Sequence, residues 1–217
     1  MKKFTLLLLV TTLILGGLST SCRSAEAPPT AEEYFKQGLT YDEKGELDKA
    51  IANYTKAIEL DPNFADAYIK RGLVHRRKGE YDTAIADLTK AIELDPNYAG
   101  AYINRGLTYY DKGEYDKAIA EYTKLIQLDP NFADAYYFRG WAYYEKGEFD
   151  KAIVDLNKFV ELHPNPALAY HNRGVAYYEK GELDKAIADL EKCIELSRDP
   201  ELSQNAERWL EELKKLK

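Results

Sequence analysis

Beyond an apolar stretch near its start, the chain sets large apolar side chains at three- and four-residue intervals among polar ones, the period of an amphipathic helix. Gly and Pro interrupt that pattern at regular points. Gly38, Gly72, Gly106, Gly140 and Gly174 stand 34 residues apart, as do Gly45, Gly79, Gly113, Gly147 and Gly181. The same interval separates Ala50, Ala84, Ala118, Ala152 and Ala186, then Pro62, Pro96, Pro130 and Pro164, then Tyr34, Tyr68, Tyr102, Tyr136 and Tyr170. Five units follow, 31–64, 65–98, 99–132, 133–166 and 167–200, with no insertion or deletion.

Each unit reads as a pair of helices. Thr30-Ala31-Glu32-Glu33 is a capping box for the first. The Gly45 position falls between two periodic stretches, where a helix end needs positive φ. Asp48, Asp82, Asp116, Asp150 and Asp184 then sit in the first turn of the second helix, where the macrodipole favours an acid. Pro62 and its equivalents stop that helix. The Gly38 column is expected to face the Ala50 column, so that paired helices approach closely while Tyr34, Tyr54 and Ile58 pack around the contact. A single unit cannot bury its own apolar face and must stack on its neighbours. Residues 201–217 form no sixth unit. Asp199-Pro200 reads as a helix start, and Ala206, Trp209, Leu210, Leu213 and Leu216 follow at helical spacing, with Lys214, Lys215 and Lys217 at the C-terminal end. This predicts a capping helix, with Trp209 as a packing residue.

The unit Ala101-Tyr102-Ile103-Asn104-Arg105-Gly106, with Lys112-Gly113-Glu114-Tyr115-Asp116-Lys117-Ala118-Ile119 and Leu128-Asp129-Pro130-Asn131 after it, resembles the tetratricopeptide repeat, and the likeness covers 170 of 217 residues. It implies an all-α solenoid, a right-handed superhelix of antiparallel helix pairs, closed here by the C-terminal helix. The last unit departs from the pattern: Arg198 takes the Pro position and Pro200 arrives late.

The apolar stretch itself reads as an address. Lys2 and Lys3 precede a 15-residue run, Phe4 to Leu18, which is short of the ~20 residues a spanning helix needs. A basic start, a short apolar run and small residues make a secretory signal. Leu18-Ser19-Thr20-Ser21-Cys22 then resembles the bacterial lipobox, with Ser19 where Leu is more usual. Cleavage at Ala25-Glu26-Ala27 is the other reading, set back by Pro28 directly after it. Under the lipobox reading, residues 1–21 are a signal peptide, Cys22 carries lipid, and 22–30 form a short linker of at most ~28 Å from Arg23 to Thr30. Arg23, in place of Asp, implies by likeness to lipoprotein sorting an outer-membrane rather than inner-membrane location in the cell envelope.

Composition narrows the chemistry. The net charge of −7 argues against nucleic-acid binding, which needs clustered Lys and Arg. Two Cys, Cys22 and Cys193, exclude a disulfide framework. No catalytic constellation and no metal or cofactor site emerges. His75 occupies a position held elsewhere by Tyr41, Tyr109, Tyr143 and Tyr177. His163 lies at a helix end. Cys193 shares a column with Ala57, Ala91, Leu125 and Phe159 and reads as core. Ser197 and Ser203 have no His placed to activate them. The acids sit on solvated faces with Lys partners. The Arg71, Arg105, Arg139 and Arg173 column reads as interhelical bracing, with Asp61, Asp95 or Asp129 as candidate partners.

In the resembled family the first helix of each unit lines the concave side. The residues then expected to face inward are Phe35, Leu39 and Asp42; Ile69, Leu73 and Arg76; Ile103, Leu107 and Tyr110; Tyr137, Trp141 and Tyr144; and His171, Val175 and Tyr178. The face becomes aromatic from the third unit, with Asp66, Asp111, Asp134, Glu145 and Glu179 around it and Arg76-Arg77-Lys78 as its one basic cluster. Some members of the family clamp a peptide carboxylate through an inward Asn; Leu39, Leu73, Leu107, Trp141 and Val175 stand in that column here, so the clamp is absent. Two readings of the rings remain open at this point: a groove for a peptide or protein partner, or packing between neighbouring first helices. Beside a membrane-anchored scaffold for envelope assembly stand two other functions, a self-associating structural solenoid and an enzyme acting on envelope glycan. For the lipid anchor, a Cys22→Ser chain expressed in the bacterial host is expected to lose incorporation of labelled palmitate; undiminished labelling would remove the anchor.

Overall fold

The computed structural model describes residues 28–163 and 165–216. The expected signal peptide 1–21, Cys22, Pro164 and Lys217 lie outside the described residues. Eleven helices follow one another among those described: α1 (Ala31–Glu43), α2 (Leu47–Leu60), α3 (Ala65–Arg77), α4 (Tyr81–Leu94), α5 (Ala99–Asp111), α6 (Tyr115–Leu128), α7 (Ala133–Glu145), α8 (Phe149–Leu162), α9 (Ala167–Glu179), α10 (Leu183–Leu196) and α11 (Pro200–Leu216). Odd and even helices pair within each unit and each even helix packs on the next odd one, giving an all-α solenoid with no strand among the described residues.

Local signals set the element ends. At α1 the Thr30 hydroxyl accepts from the Glu33 N–H and the Glu33 carboxylate accepts from the Thr30 N–H, a complete capping box. The turn inside every unit is made by the Gly45 column, with φ between 74° and 79°, a left-handed conformation that costs a residue with a Cβ roughly 1 kcal/mol or more. The next contact is decided by the other Gly column. A Cβ on Gly38 would stand 2.5 Å from the Tyr54 ring, and one on Gly106 2.6 Å from the Tyr122 ring. At Gly72, Gly140 and Gly174 the near neighbours are the carbonyls of Ala84, Ala152 and Ala186, with Leu88, Leu156 and Leu190 beside them. Glycine therefore faces the Ala backbone in three units, while in the first and third a fully buried tyrosine ring fills the gap.

One polar contact built on an arginine recurs in the second to fifth units. Arg71, Arg139 and Arg173 each grip a carboxylate on the second helix of their own unit through two N–H donors: Asp87 (2.9 and 2.7 Å), Asp155 (2.7 and 2.8 Å) and Asp189 (2.6 and 2.7 Å). Arg105 donates to Glu121 at 2.9 Å. The same guanidinium reaches back to the preceding unit, from Arg71 to Thr55 (3.0 Å), Arg105 to Thr89 (2.9 Å), Arg139 to Thr123 (3.1 Å) and Arg173 to Asn157 (2.6 Å). One side chain thus ties three helices. Asp61, Asp95 and Asp129, the partners expected from sequence, are not part of this brace. They end the even helices, and their carboxylates accept from the N–H of Asn63, Asn97 and Asn131 two residues on. A short acid at such a turn bonds its own backbone before it can reach a distant cation.

Both ends depart from the brace. In the first unit Gln37 and Asn53 replace the Arg and the acid, since no earlier unit is there to be tied. In the last, Glu191 stands where the hydroxyl would be and pairs with Lys214 of α11 at 3.1 Å. Ala206 and Leu213 of α11 are buried against Ala186, Leu190 and Cys193, and Trp209 meets Tyr178 edge-on at 5.4 Å. The outward face of α11 is Glu201, Gln204, Glu207, Arg208, Glu211, Glu212 and Lys215, all exposed.

Asp155 is only 3% exposed, so removing its partner strands a buried charge. Arg139→Met is expected to destabilise the array by about 3–5 kcal/mol in urea unfolding, and Arg139→Met with Asp155→Leu to recover most of that loss; an unchanged midpoint for the single variant would refute the brace. Burial pushes the Cys193 thiol up to about 11, so at neutral pH it is held as the unreactive thiol. In a Cys22→Ser chain, the Cys193 thiol is expected to resist a thiol reagent at pH 7 until denaturant is added; rapid labelling of native protein would contradict its place in the core.

Candidate functional site: the inner face

Which side of the solenoid is inner follows from helix contacts. Successive odd helices touch directly (α1 to α3, α3 to α5, α5 to α7, α7 to α9), whereas successive even helices do not approach to that extent. An array whose first helices crowd together and whose second helices splay is curved toward the first, so odd helices line the concave side.

Along that side runs a ladder between neighbouring units, made by residues 35 apart. Asp42 pairs with Arg77; Arg76 pairs with Asp111 at 2.6 Å; the Tyr110 hydroxyl donates to Glu145 at 3.0 Å. Tyr144 stands in the same place toward Glu179, whose field, after burial itself, raises the Tyr144 phenol above its ordinary pKa. Burial and then the bond to Glu145 raise that of Tyr110. At the end of the ladder, where α11 takes the place of a further unit, Tyr178 meets Trp209 instead.

Aromatic rings gather on the later rungs. Trp141 lies flat on Tyr144, with centroids 5.1 Å apart and planes 8° from parallel, an i, i+3 stack on one helix face. Tyr144 also meets Phe149 at 5.5 Å, and Tyr110 meets Tyr115 at 5.3 Å. Phe149 and Tyr115 escape a reading that counts first helices only. They open second helices, and the Gly turn folds them back five residues later beside the ring they touch; a recurring large apolar residue two places after each turn glycine was their signal in the sequence.

The sequence-predicted residues divide by burial. Leu73, Ile103, Leu107, Tyr110, Trp141, Tyr144 and Tyr178, all on the odd helices, are half-buried and keep exposed surface. Phe35 and Leu39 are half-buried too, with Phe35 spanning Tyr54 and Phe64 at 5.7 and 4.8 Å. Ile69 and Val175 are 6% and 8% exposed and offer almost no surface; Ile69 is packed with Leu88, Ala91 and Ala101 of the neighbouring helices. Tyr137 is held by its neighbours, its hydroxyl accepting from the Asn172 amide at 3.0 Å and its ring against Phe138 and Phe159 at 5.5 and 5.2 Å. His171 places Nδ1 3.1 Å from the Asn172 side-chain oxygen and encloses Nε2 without a hydrogen-bond partner. Those four supply packing more than surface.

The basic cluster is occupied within the molecule. Arg76 and Arg77 are on the ladder, and Lys78 reaches Asp48 at 2.7 Å and Glu80 at 3.0 Å. Lys112, Lys146 and Lys180 repeat the Lys78 arrangement with Asp82, Asp116 and Asp150 of the preceding unit. His75, in its tyrosine column, contacts Glu80 at 2.5 Å. Among the described residues no three His, Cys, Asp or Glu cluster to hold a metal, and no helix is long and apolar enough to cross a membrane. A recess of about 650 Å³ lies between Ala167 and Leu168 in the first turn of α9 and Ser197, Arg198 and Leu202 around the start of α11. It sits where the fourth and fifth units depart from the repeat, and it gathers no reactive group.

Two models of known families match the sequence. One described as TPR repeat covers residues 38–79, 72–113, 106–145 and 140–181; one described as tetratricopeptide repeat covers 167–200. No curated protein matches. Among solved structures, a MamA protein is 34% identical with a TM-score of 0.68, the match covering 76% of this chain and 90% of that one. YrrB, described as a TPR protein with an unusual peptide-binding site, is 27% identical with a TM-score of 0.64 over 82% of this chain and 92% of its own. MamA from Desulfovibrio magneticus RS-1 is 23% identical with a TM-score of 0.70 over 77% and 95%, and shows likeness of fold alone.

Proposed function

From the premise that this chain belongs to the tetratricopeptide-repeat family, we propose that it is a membrane-anchored scaffold whose concave face binds a peptide or protein partner, in the assembly of a bacterial cell envelope. The observation that carries the binding role is the inward row of half-exposed rings on a preformed arc, centred on Trp141 stacked on Tyr144. Rings of this kind give large contact area for few frozen torsions, and Trp and Tyr dominate binding energy where they occur. The arc needs no ordering on binding, because the arginine braces already fix its units relative to one another. The peptide-binding site described for YrrB, on a chain of the same fold, supports the same use of this one.

The mechanism is noncovalent. The face recruits, aligns and releases, and no catalytic step is proposed; Cys193, read as a core residue, is buried and its thiol pKa is pushed up by that burial. Lipid on Cys22 would hold the array close to a membrane surface, the outer membrane in preference to the inner, so that the partner is captured there. Two acyl chains or more suffice for a stable hold. The support for this part is the sequence alone: Lys2-Lys3, the apolar run and the small residues before Cys22. Stacking of the solenoid on copies of itself is opposed by the polar outer face of α11.

Trp141→Ala is expected to lower recovery of envelope partners in a pull-down by about tenfold, the loss of one hot-spot side chain. The same partners at the same yield as wild type would remove the inner face from the account.

A further inference from the structure

The inner face changes its charge along the arc. Across the first three units two rim acids meet cations, Asp42 with Arg77 and Asp111 with Arg76, while Asp66 accepts from the Tyr98 hydroxyl. Past Asp111 no such ion pair follows along this edge among the described residues. Helices α5, α7 and α9 contain no Lys, and the one Arg on each is engaged with Glu121, Asp155 or Asp189. The lysines that follow α7 and α9 turn away: Lys146 bonds Asp116 and Glu148, and Lys180 bonds Asp150 and Glu182. Glu145 accepts from the Tyr110 phenol, and among the described residues neither Glu145 nor Glu179 takes part in an ion pair. Both carboxylates are exposed to solvent, and both lie within electrostatic reach of the Tyr144 phenol that stacks on Trp141.

Resting on the reading of this face as the binding surface, we propose that its occupant is a basic, extended segment that sets Lys or Arg heads at Glu145 and Glu179 and lays aliphatic stems and apolar neighbours across Trp141 and Tyr144. A cation gains from both parts of this surface, the carboxylates by charge and the indole face by its quadrupole. Long basic side chains can cover apolar rings while their heads reach an acid. An acidic segment would meet Glu145, Glu179 and Asp134 with no counter-charge, and like charges brought together cost enough to exclude wrong partners. The spacing adds a constraint. Glu145 and Glu179 hold equivalent places on α7 and α9, which touch, so they stand about 10 Å apart. A polyproline II strand advances about 9 Å in three residues, so cations three residues apart match the two carboxylates.

The test uses the full chain in detergent and a fluorescein-labelled nonapeptide of three Lys-Leu-Pro triplets, followed by anisotropy. The lysine peptide is expected to bind, to weaken as salt is raised, and to bind at least about tenfold more tightly than the Glu-Leu-Pro counterpart. Glu145→Gln with Glu179→Gln, which keeps an acceptor for Tyr110, is expected to weaken the lysine peptide about tenfold. Glu207→Gln with Glu211→Gln, the same charge change on the outer face of α11, is expected to leave it unchanged. Equal binding of the two peptides, no binding of the lysine peptide, or equal losses in the two double variants would each overturn the proposal. If the Trp141→Ala chain loses its envelope partners while the Glu145→Gln, Glu179→Gln chain keeps them at full yield, the inner face remains the binding surface and its basic occupant is refuted.

Discussion

The architecture depends on one repeated contact: a guanidinium shared by three helices. Each of Arg71, Arg105, Arg139 and Arg173 holds an acid of its own unit and a hydroxyl or amide of the unit before. The acids are nearly dry, at 5%, 3% and 7% exposure for Asp87, Asp155 and Asp189. A buried charge is costly unless its partner is correctly placed, so the contact penalises slippage between the two helices of a unit more than it rewards the fit, and the further bond to a hydroxyl or amide seats that pair on the unit before. Apolar packing around the Gly and Ala columns holds helices together but tolerates small shifts. The bidentate pair admits one orientation. Nearest-neighbour coupling of this kind makes the array act as a unit although each repeat touches only its neighbours.

The end units show the same logic by exception. Gln37 and Asn53 carry no charge that would go unpaired at the open start, and Glu191 exchanges a hydroxyl for a carboxylate where Lys214 of α11 can answer it. The C-terminal helix closes the core around Leu190 and Cys193 and turns its charged side outward.

Because the braces lie between first and second helices, the inner edge is left to a different set of contacts. The ladder from Asp42–Arg77 to Tyr178–Trp209 begins as ion pairs and ends as rings. Exposed ion pairs contribute little stability, but they consume charge, which makes the first half of the face electrically quiet. The second half keeps its acids and adds aromatic surface. One backbone repeat therefore presents two chemically distinct halves, and a ligand would distinguish them although the helices beneath are nearly equivalent.

Much of this was legible in the residues. Five helical pairs, their turns and the closing helix followed from the 34-residue interval, the positive-φ glycines and the apolar spacing, because those signals act within a few residues along the chain. The bracing role of the arginine column was legible as well, but its partners were not: Asp61, Asp95 and Asp129 are spent on their own turns, and the acids that matter lie sixteen residues on, across a helix pair. Likewise Val175 shares a column with Trp141, and Ile69 one with Ile103, yet depth of burial depends on what the neighbouring helix brings, which no periodicity states. The pairing of Arg76 with Asp111 and Arg77 with Asp42, and the unanswered charge of Glu145 and Glu179, were settled only by stacking. Local physics determined the hairpins; the choice of which charges meet and which remain for a visitor belongs to contacts between units, where side chains far apart in the chain come within hydrogen-bond reach.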